Sequence, residues 1–197
     1  MSRTAGSRGY KTIEAIEKAG LRLIFQHGYE AMNLRDLAFE VGIQVGSLYN
    51  HIASKQELLF KIMKDHMEHV LEALDKTLEG STDCVARMQT FVAFHVTYHT
   101  ARKREVFVVT SELRSLEPQN YGVIIKYRQQ YEQRLIDILE EGVTRGVFHV
   151  ADVRVASFAI LAMLTGISTW YRSGGRLSKN EVIVLYTKLI MGGLQNS

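Results

Sequence analysis

The sequence predicts an all-α protein of about nine helices, with an N-terminal three-helix helix-turn-helix domain and a larger C-terminal helical domain. Three observations carry this prediction. Apolar residues recur at three- and four-residue spacing almost everywhere, the period of a helix with one buried face. Pro118 is the one proline among 197 residues, whereas an all-β chain, with its many turns, normally uses more. Capping residues and glycines stand at the edges of the periodic stretches. An apolar fraction of 46% and a charged fraction of 23% are those of a globular chain and argue against disorder. The length suffices for one domain, or for a small one and a larger one.

The elements follow in order. Ile13, Ile16, Gly20, Leu23, Ile24 and His27 form one face of a first helix, with Thr12 as N-cap and Gly28 placed for a left-handed C-cap. Asn33 opens a short second helix, whose buried face is Leu34, Leu37, Ala38 and Val41 and whose stop is Gly42. A third short helix is expected over Val45–His51. Ser54 caps a long fourth helix, and Glu57 three residues on makes a capping box. Its stripe runs from Leu58 to Leu74, and Gly80 lies beyond its end. Five further helices are expected at Cys84–Thr100, Lys103–Leu116, Gln119–Thr144, Asp152–Arg172 and Ser178–Leu194. Glu117-Pro118, Gly142 and Gly146, and Ser173-Gly174-Gly175 mark the breaks. Val147–Val150 is β-branched and aromatic but short and isolated, so it reads as a connection. The domains divide as 1–60 and 61–197.

The formal net charge of +3 is only mildly basic and does not by itself indicate nucleic acid. Arg3, Arg8 and Lys11 all precede the first acidic residue, Glu14, and form a small cationic arm; a solvated tail is the plain alternative. Cys84 is the single cysteine, so no intrachain disulfide forms, as suits a reducing cytosol. The N-terminus carries no signal-like apolar stretch, and the most apolar run, Val155–Ile167, has 13 residues, too few to span a bilayer. The expected location is cytoplasmic, without a membrane partner.

The informative stretch is Asn33 to Lys55, NLRDLAFEVGIQVGSLYNHIASK. Two short helices joined by the glycine-containing turn Gly42-Ile43-Gln44 are what a helix-turn-helix requires, here over about residues 33–52. The second of them presents its exposed face to the major groove of DNA. Leu48 and Ile52 point inward, while Gln44, Val45, Ser47 and Asn50 are small or polar and suit base edges. Tyr49, His51 and Lys55 suit phosphates.

The run Gly42-x-x-x-Gly46-Ser47-Leu48-Tyr49-x-His51, followed by Ser54-Lys55-x-x-Leu58-Leu59, resembles the TetR family of bacterial regulators. The upstream pattern Phe25-x-x-x-Gly28-Tyr29, then Leu34-Arg35-Asp36-Leu37-Ala38, fits it too. The resemblance implies a homodimeric repressor on double-stranded palindromic operator DNA, released when a small molecule binds the C-terminal domain. By position Arg35 matches a base-contacting arginine of some members, and Tyr49, His51 and Lys55 match phosphate-gripping residues. The expected DNA-binding set is Asn33, Arg35, Gln44, Val45, Gly46, Ser47, Tyr49, Asn50, His51 and Lys55. Ile52 stands where the family usually has phenylalanine, and Asn33 where serine or threonine is common; Asn33 still caps.

In the C-terminal part, the helix expected over Asp152–Arg172 is apolar on nearly all sides between Val155 and Ile167, and must be covered on more than one face. The last helix carries Val182, Ile183, Leu185, Tyr186, Leu189, Ile190 and Leu194. Two such helices from each of two chains make a four-helix homodimer interface, the family's usual one; burial of both within one chain is the alternative. The remaining helices offer Phe91, His95, Tyr98, Phe107, Thr110, Tyr131, Met163 and Trp170 to a mostly apolar ligand, although ordinary core packing is the better account of any one of them taken singly. Gly142-Val143-x-x-Gly146-Val147-Phe148 and Trp170-Tyr171-Arg172-x-Gly174-Gly175-Arg176-Leu177-Ser178 resemble TetR-type regulators of fatty-acid and sterol catabolism. That resemblance implies an acyl-coenzyme A effector, whose phosphates would meet Arg102, Lys103, Arg104, Arg114, Arg128 or Arg134 unless these are simply solvated.

His95 with His99, and His66 with His69, have spacings that can hold a metal, but no cysteine cluster or HExxH motif joins them, so no metal is expected. No phosphate-cradling glycine loop, Gly-x-Ser-x-Gly elbow or Rossmann fingerprint is present, so neither an enzyme nor a resident cofactor is expected. The alternatives are a helical interaction or ligand-binding module and an enzyme without a recognisable motif. Specific duplex binding separates the regulator from both.

Overall fold

The computed structural model describes residues 5–195. Among them are nine α-helices and no strand: α1 (Ala5–His27), α2 (Leu34–Val41), α3 (Val45–Leu48), α4 (Lys55–Leu78), α5 (Cys84–Ala101), α6 (Lys103–Ser111), α7 (Pro118–Thr144), α8 (Val153–Trp170) and α9 (Lys179–Gln195). A 3-10 turn at Leu113–Ser115 precedes α7. The chain forms two units. One runs to Met67 and also takes in Arg104–Ile125; the other comprises Glu68–Lys103 and the chain from Lys126 onward. α4 and α7 each contribute residues to both.

In the first unit, α1 packs on α2 and α2 on α3. Ile16, Ile24, Leu37, Leu48 and Leu58 are fully buried there. Gly20 permits close approach of α4, because a Cβ on it would lie 2.8 Å from Leu58 Cδ2. α1 does not start after Thr12 as expected. It begins at Ala5, and Thr12 lies inside it. No proline interrupts residues 5–12, and extending an existing helix is far easier than nucleating one. The cationic arm is therefore partly helical: Arg8 and Lys11 belong to α1, while Arg3 lies outside the described residues.

The helix expected over Lys103–Leu116 ends at Ser111. Glu112 leaves helical geometry, and its carboxylate accepts the Tyr29 N–H (3.2 Å) and the Ser115 hydroxyl (2.9 Å). Gln56 at the start of α4 then grips the turn, donating to Ser115 O (2.5 Å) and accepting from Glu117 N (3.1 Å). Pro118 follows at the first position of α7, where its missing N–H costs nothing.

In the second unit, α5 packs on both α8 and α9. Of the two glycines expected to mark this break, Gly146 (φ 68°) is where the chain reverses, while Gly142 lies inside α7, which ends at Thr144 as expected. Gly142 has a packing reason: the Phe148 ring folds back onto it, and a Cβ there would sit 1.9 Å from Phe148 Cδ2. The Gly142 carbonyl accepts from Val147 N (2.9 Å) and Phe148 N (3.0 Å), which closes the end of α7. Asp152 caps α8 through Arg154 N (2.8 Å) and Val155 N (3.0 Å). Arg134 grips Asp75 with Nε (3.0 Å) and Nη2 (2.9 Å), fastening α7 to α4.

α8 buries Ser157, Ile160, Leu164 and Ile167 but leaves Val155 and Phe158 exposed. α9 buries Val182, Ile190, Met191 and Leu194 and leaves Val184, Leu185 and Leu189 exposed. Full burial of both helices within one chain is thereby overturned. The 13-residue count from sequence also understated α8, whose 18 residues are long and apolar enough to cross a membrane by length and composition alone.

Candidate functional site

The helix-turn-helix is built by local chemistry. Asn33 Oδ1 accepts from Arg35 N (3.0 Å) and Asp36 N (2.9 Å), satisfying two free N–H groups of α2, while its Nδ2 donates to Asp36 Oδ2 (2.6 Å). Gly42 (φ 75°) ends α2 in the left-handed conformation and turns the chain into α3. α3 is regular only over Val45–Leu48, shorter than the expected Val45–His51. Beyond it the backbone tightens: Asn50 N bonds Ser47 O (3.2 Å) and His51 N bonds Leu48 O (2.9 Å), both three residues apart. Leu48 and Ile52 are buried, and Gln44, Gly46, Ser47, Tyr49 and Asn50 are exposed between them. Asn33 and Arg35 are exposed as well, whereas Val45, His51 and Lys55 are partly covered.

Lys55 is more committed than its sequence position suggests. Its ammonium donates to Glu30 O (3.1 Å) and Met32 O (3.2 Å) and stands 4.2 Å from the Tyr29 ring centroid. Two of its three protons therefore hold the turn between α1 and α2. Tyr29, buried beneath it, received no role in the sequence reading; it sits in the pattern Gly28-Tyr29, but its partner is 26 positions away. Ser54 Oγ accepts from Glu57 N (3.0 Å), and Glu57 returns to Ala53 N (2.5 Å), so the capping box forms with its return bond shifted by one residue.

The second unit holds a polar cluster inside an apolar core. His95 is fully buried, with Nδ1 3.0 Å from the Tyr131 hydroxyl and Nε2 3.5 Å from Thr165 Oγ1. Its ring stacks on His99 at 3.7 Å, and Phe91 lies 5.6 Å from Tyr131. Burial pulls the His95 pKa down to about 3, so the imidazole is neutral at physiological pH. The same burial raises the Tyr131 hydroxyl, keeping it a donor. Of the expected ligand residues, Phe91, His95 and Tyr131 come together here. Tyr98 is also buried, 6.2 Å from His99. Phe107 belongs to the other unit, where it packs edge-on against Phe25 at 5.1 Å. Thr110 lies in that unit too and spends its hydroxyl on Val106 O (2.7 Å). Met163 is half-buried, and Trp170 stands at the exposed end of α8 against Tyr186. Thr165 was missed, being one threonine in an apolar helix.

Among the described residues no group of three or more His, Cys, Asp or Glu side chains gathers as metal ligands do. Of the cations proposed from sequence, Arg102 lies over the Tyr98 ring (4.1 Å), Lys103 donates to Tyr171 O, and Arg134 is held by Asp75.

The sequence description "Bacterial regulatory proteins, tetR family" matches residues 16–62, and "Tetracyclin repressor-like, C-terminal domain" matches residues 81–194. The chain is 27% identical over 200 residues to the HTH-type transcriptional repressor KstR2 of Mycobacterium tuberculosis, covering 98% of each. It is 32% identical to the TetR family transcriptional regulator PfmR of Thermus thermophilus, covering 92% of this chain and 99% of that one, with a TM-score of 0.82. The fold is shared with AibR, whose structure contains isovaleryl coenzyme A and operator DNA (23% identity, 90% of this chain and 97% of that one, TM-score 0.84). The chain belongs to the TetR family of bacterial regulatory proteins.

Proposed function

We propose that this protein is a cytoplasmic, homodimeric repressor that binds a palindromic operator and is released from it by an acyl-coenzyme A thioester, with no catalytic activity of its own. The observation that carries the reading is the polar edge Gln44, Ser47, Tyr49 and Asn50, exposed over buried Leu48 and Ile52 and opened by the left-handed Gly42. In this reading residues 1–60 contact DNA, and residues 61–197 bind effector and pair the subunits. Arg35 and Gln44 read bases, with Val45 and Gly46 allowing close approach. Asn33, Ser47, Asn50 and His51 complete the contact surface, and Tyr49 grips phosphate. Lys55 contributes its remaining proton to the backbone while it anchors the turn before α2.

Pairing is supported by the apolar face that α8 and α9 leave bare: Phe158 is 55% exposed and Leu189 61%. A second copy of the same face covers it; a palindromic operator would then require the two recognition helices about one helical turn of DNA apart, roughly 34–36 Å. An acyl effector is supported by the rings of Phe91 and Tyr131 around neutral His95 and Thr165, an apolar site with a few fixed polar groups. The coenzyme A part is supported by the fold shared with AibR, whose structure holds isovaleryl coenzyme A. α4 passes from one unit to the other and is the lever through which the effector acts. The effector shifts operator binding only by its affinity difference between the two states.

The test is to select duplexes from a random pool, then titrate the winner at two salt concentrations, without and with acyl-coenzyme A thioesters of several chain lengths. A palindrome, affinity falling steeply with salt, and release by one thioester class are expected. Tyr49→Phe should weaken all duplexes alike, while Arg35→Ala and Gln44→Ala should change the preferred sequence. No enrichment by protein shown by native mass to be an empty dimer would refute the reading.

A further inference from the structure

The loop from α8 to α9 borders an open recess. Trp170, Tyr171, Arg172, Gly175, Arg176 and Leu177 surround about 270 Å³. Among the described residues, two guanidinium groups line it and no carboxylate does. Lys103 adds a third cation beside it, donating to Tyr171 O and standing 5.5 Å from the Tyr171 ring centroid. The carboxylate whose charge pairs with Arg176 is Glu181, and that group is occupied in capping α9, accepting from Ser178 N (2.7 Å).

The loop conformation is specific. Gly174 has φ 81°, and Gly175 N bonds Arg172 O at 3.0 Å. This tight turn carries Arg172 and Arg176 to one recess, and a Cβ on Gly175 would lie 3.1 Å from Arg172 O. Trp170 is 45% exposed, with Tyr186 stacked near-parallel to it at 6.4 Å. A flat aromatic, paired guanidiniums and a small volume suit a stacked base with phosphate groups. The volume lies below the usual range for a whole small-molecule site, about 300–1,000 Å³, so the recess fits one end of a larger ligand.

We propose that this recess binds the phosphorylated nucleotide end of the effector, with the indole of Trp170 against the base and Arg172 and Arg176 on the phosphates. The proposal rests on the acyl-coenzyme A reading for the identity of the ligand that carries the nucleotide. It assigns that ligand's anionic end to residues outside the cationic set singled out from sequence.

Trp170 is the only tryptophan in the chain, so tryptophan emission reports on this recess alone. The full-length protein is titrated with adenosine bisphosphate, coenzyme A, adenosine and inorganic phosphate. Saturable quenching is expected with the first two. Arg172→Met with Arg176→Met should weaken it by about ten-fold or more, the scale of losing charge-assisted phosphate bonds, with the helical circular dichroism signal intact. Unchanged emission with both nucleotides, equal affinity in the double variant, or an equal response to inorganic phosphate would each overturn the proposal. Thioester-driven operator release that is identical in the double variant refutes the recess but leaves the acyl-coenzyme A reading standing. Nucleotide binding at Trp170 without release by any thioester refutes that reading but leaves the recess standing.

Discussion

His95 makes stability depend on pH with a predictable sign. The folded imidazole is fully buried and its pKa is held near 3, against about 6.5 when unfolded. Below about pH 6.5 the unfolded chain therefore takes up a proton that the folded chain refuses. Acidification thus draws the equilibrium toward the unfolded state, the reverse of a histidine paired with a carboxylate. From pH 7 to pH 5 the linkage amounts to about 2 kcal/mol. At pH 5 the folded imidazole is still neutral, so the unfolded pKa sets that figure. His95→Gln removes the titration and keeps a polar group facing the Tyr131 hydroxyl, now 3.0 Å from Nδ1. Urea unfolding of both proteins at pH 7, 6 and 5, at one protein concentration, cancels the other titrating groups. The variant is expected to be less stable at pH 7 and to recover about 2 kcal/mol relative to the parent by pH 5. Curves that stay parallel over this range would show that His95 is protonated in the folded protein, and the account of the cluster as a neutral site would fail.

Three further outcomes follow from the packing. Gly142→Ala drives a methyl to 1.9 Å from the Phe148 ring and should cost at least about 1–3 kcal/mol in thermal unfolding, whereas Gly122→Ala in the same helix meets nothing within 4 Å and should be neutral or slightly stabilising. Equal effects at the two glycines would contradict this. Asn33→Ala deletes both bonds to Arg35 N and Asp36 N and should lower stability by about 0.5–2 kcal/mol in denaturant titration. Leu189→Glu places charge on the bare face of α9; sedimentation should show a monomer, with operator affinity lost in proportion, and a persistent dimer would move the pairing surface elsewhere.

What was legible in the sequence is local. Asn33, Ser54 and Asp152 cap because they bond N–H groups two or three residues on, and that chemistry is written in adjacent letters. The glycine turn at Gly42 and the burial of Leu48 and Ile52 follow from the same short-range rules. What was missed depends on partners far along the chain. Lys55 has a second task that its neighbours in sequence do not show, holding Glu30 O and Met32 O with two of its protons. The break at Ser111 needs Tyr29 and Gln56, 83 and 59 positions from their partners. Gly142 and Gly146 read alike as markers of one break, and only the Phe148 ring shows that Gly142 is there for packing. Phe107 and Thr110 lie in the other unit from Phe91, His95 and Tyr131; helical spacing shows which face is inward without showing which core lies there.

The division of the chain into units does not follow the order of the helices. Arg104–Ile125 belongs to the unit that carries the helix-turn-helix, and Glu112 and Gln56 fasten it there through Tyr29, Ser115 and Glu117. The chain passes between the units at three places: within α4 at Met67, within α7 at Ile125, and between Lys103 and Arg104 at the start of α6. Lys103 holds Tyr171 O, and Tyr171 lines the recess beside Arg172 and Arg176. Lys103 directly precedes Arg104, the first residue of the segment that Glu112 and Gln56 fasten. The carbonyl bond of Lys103 and the grip of Gln56 are thus two ends of one short stretch of chain.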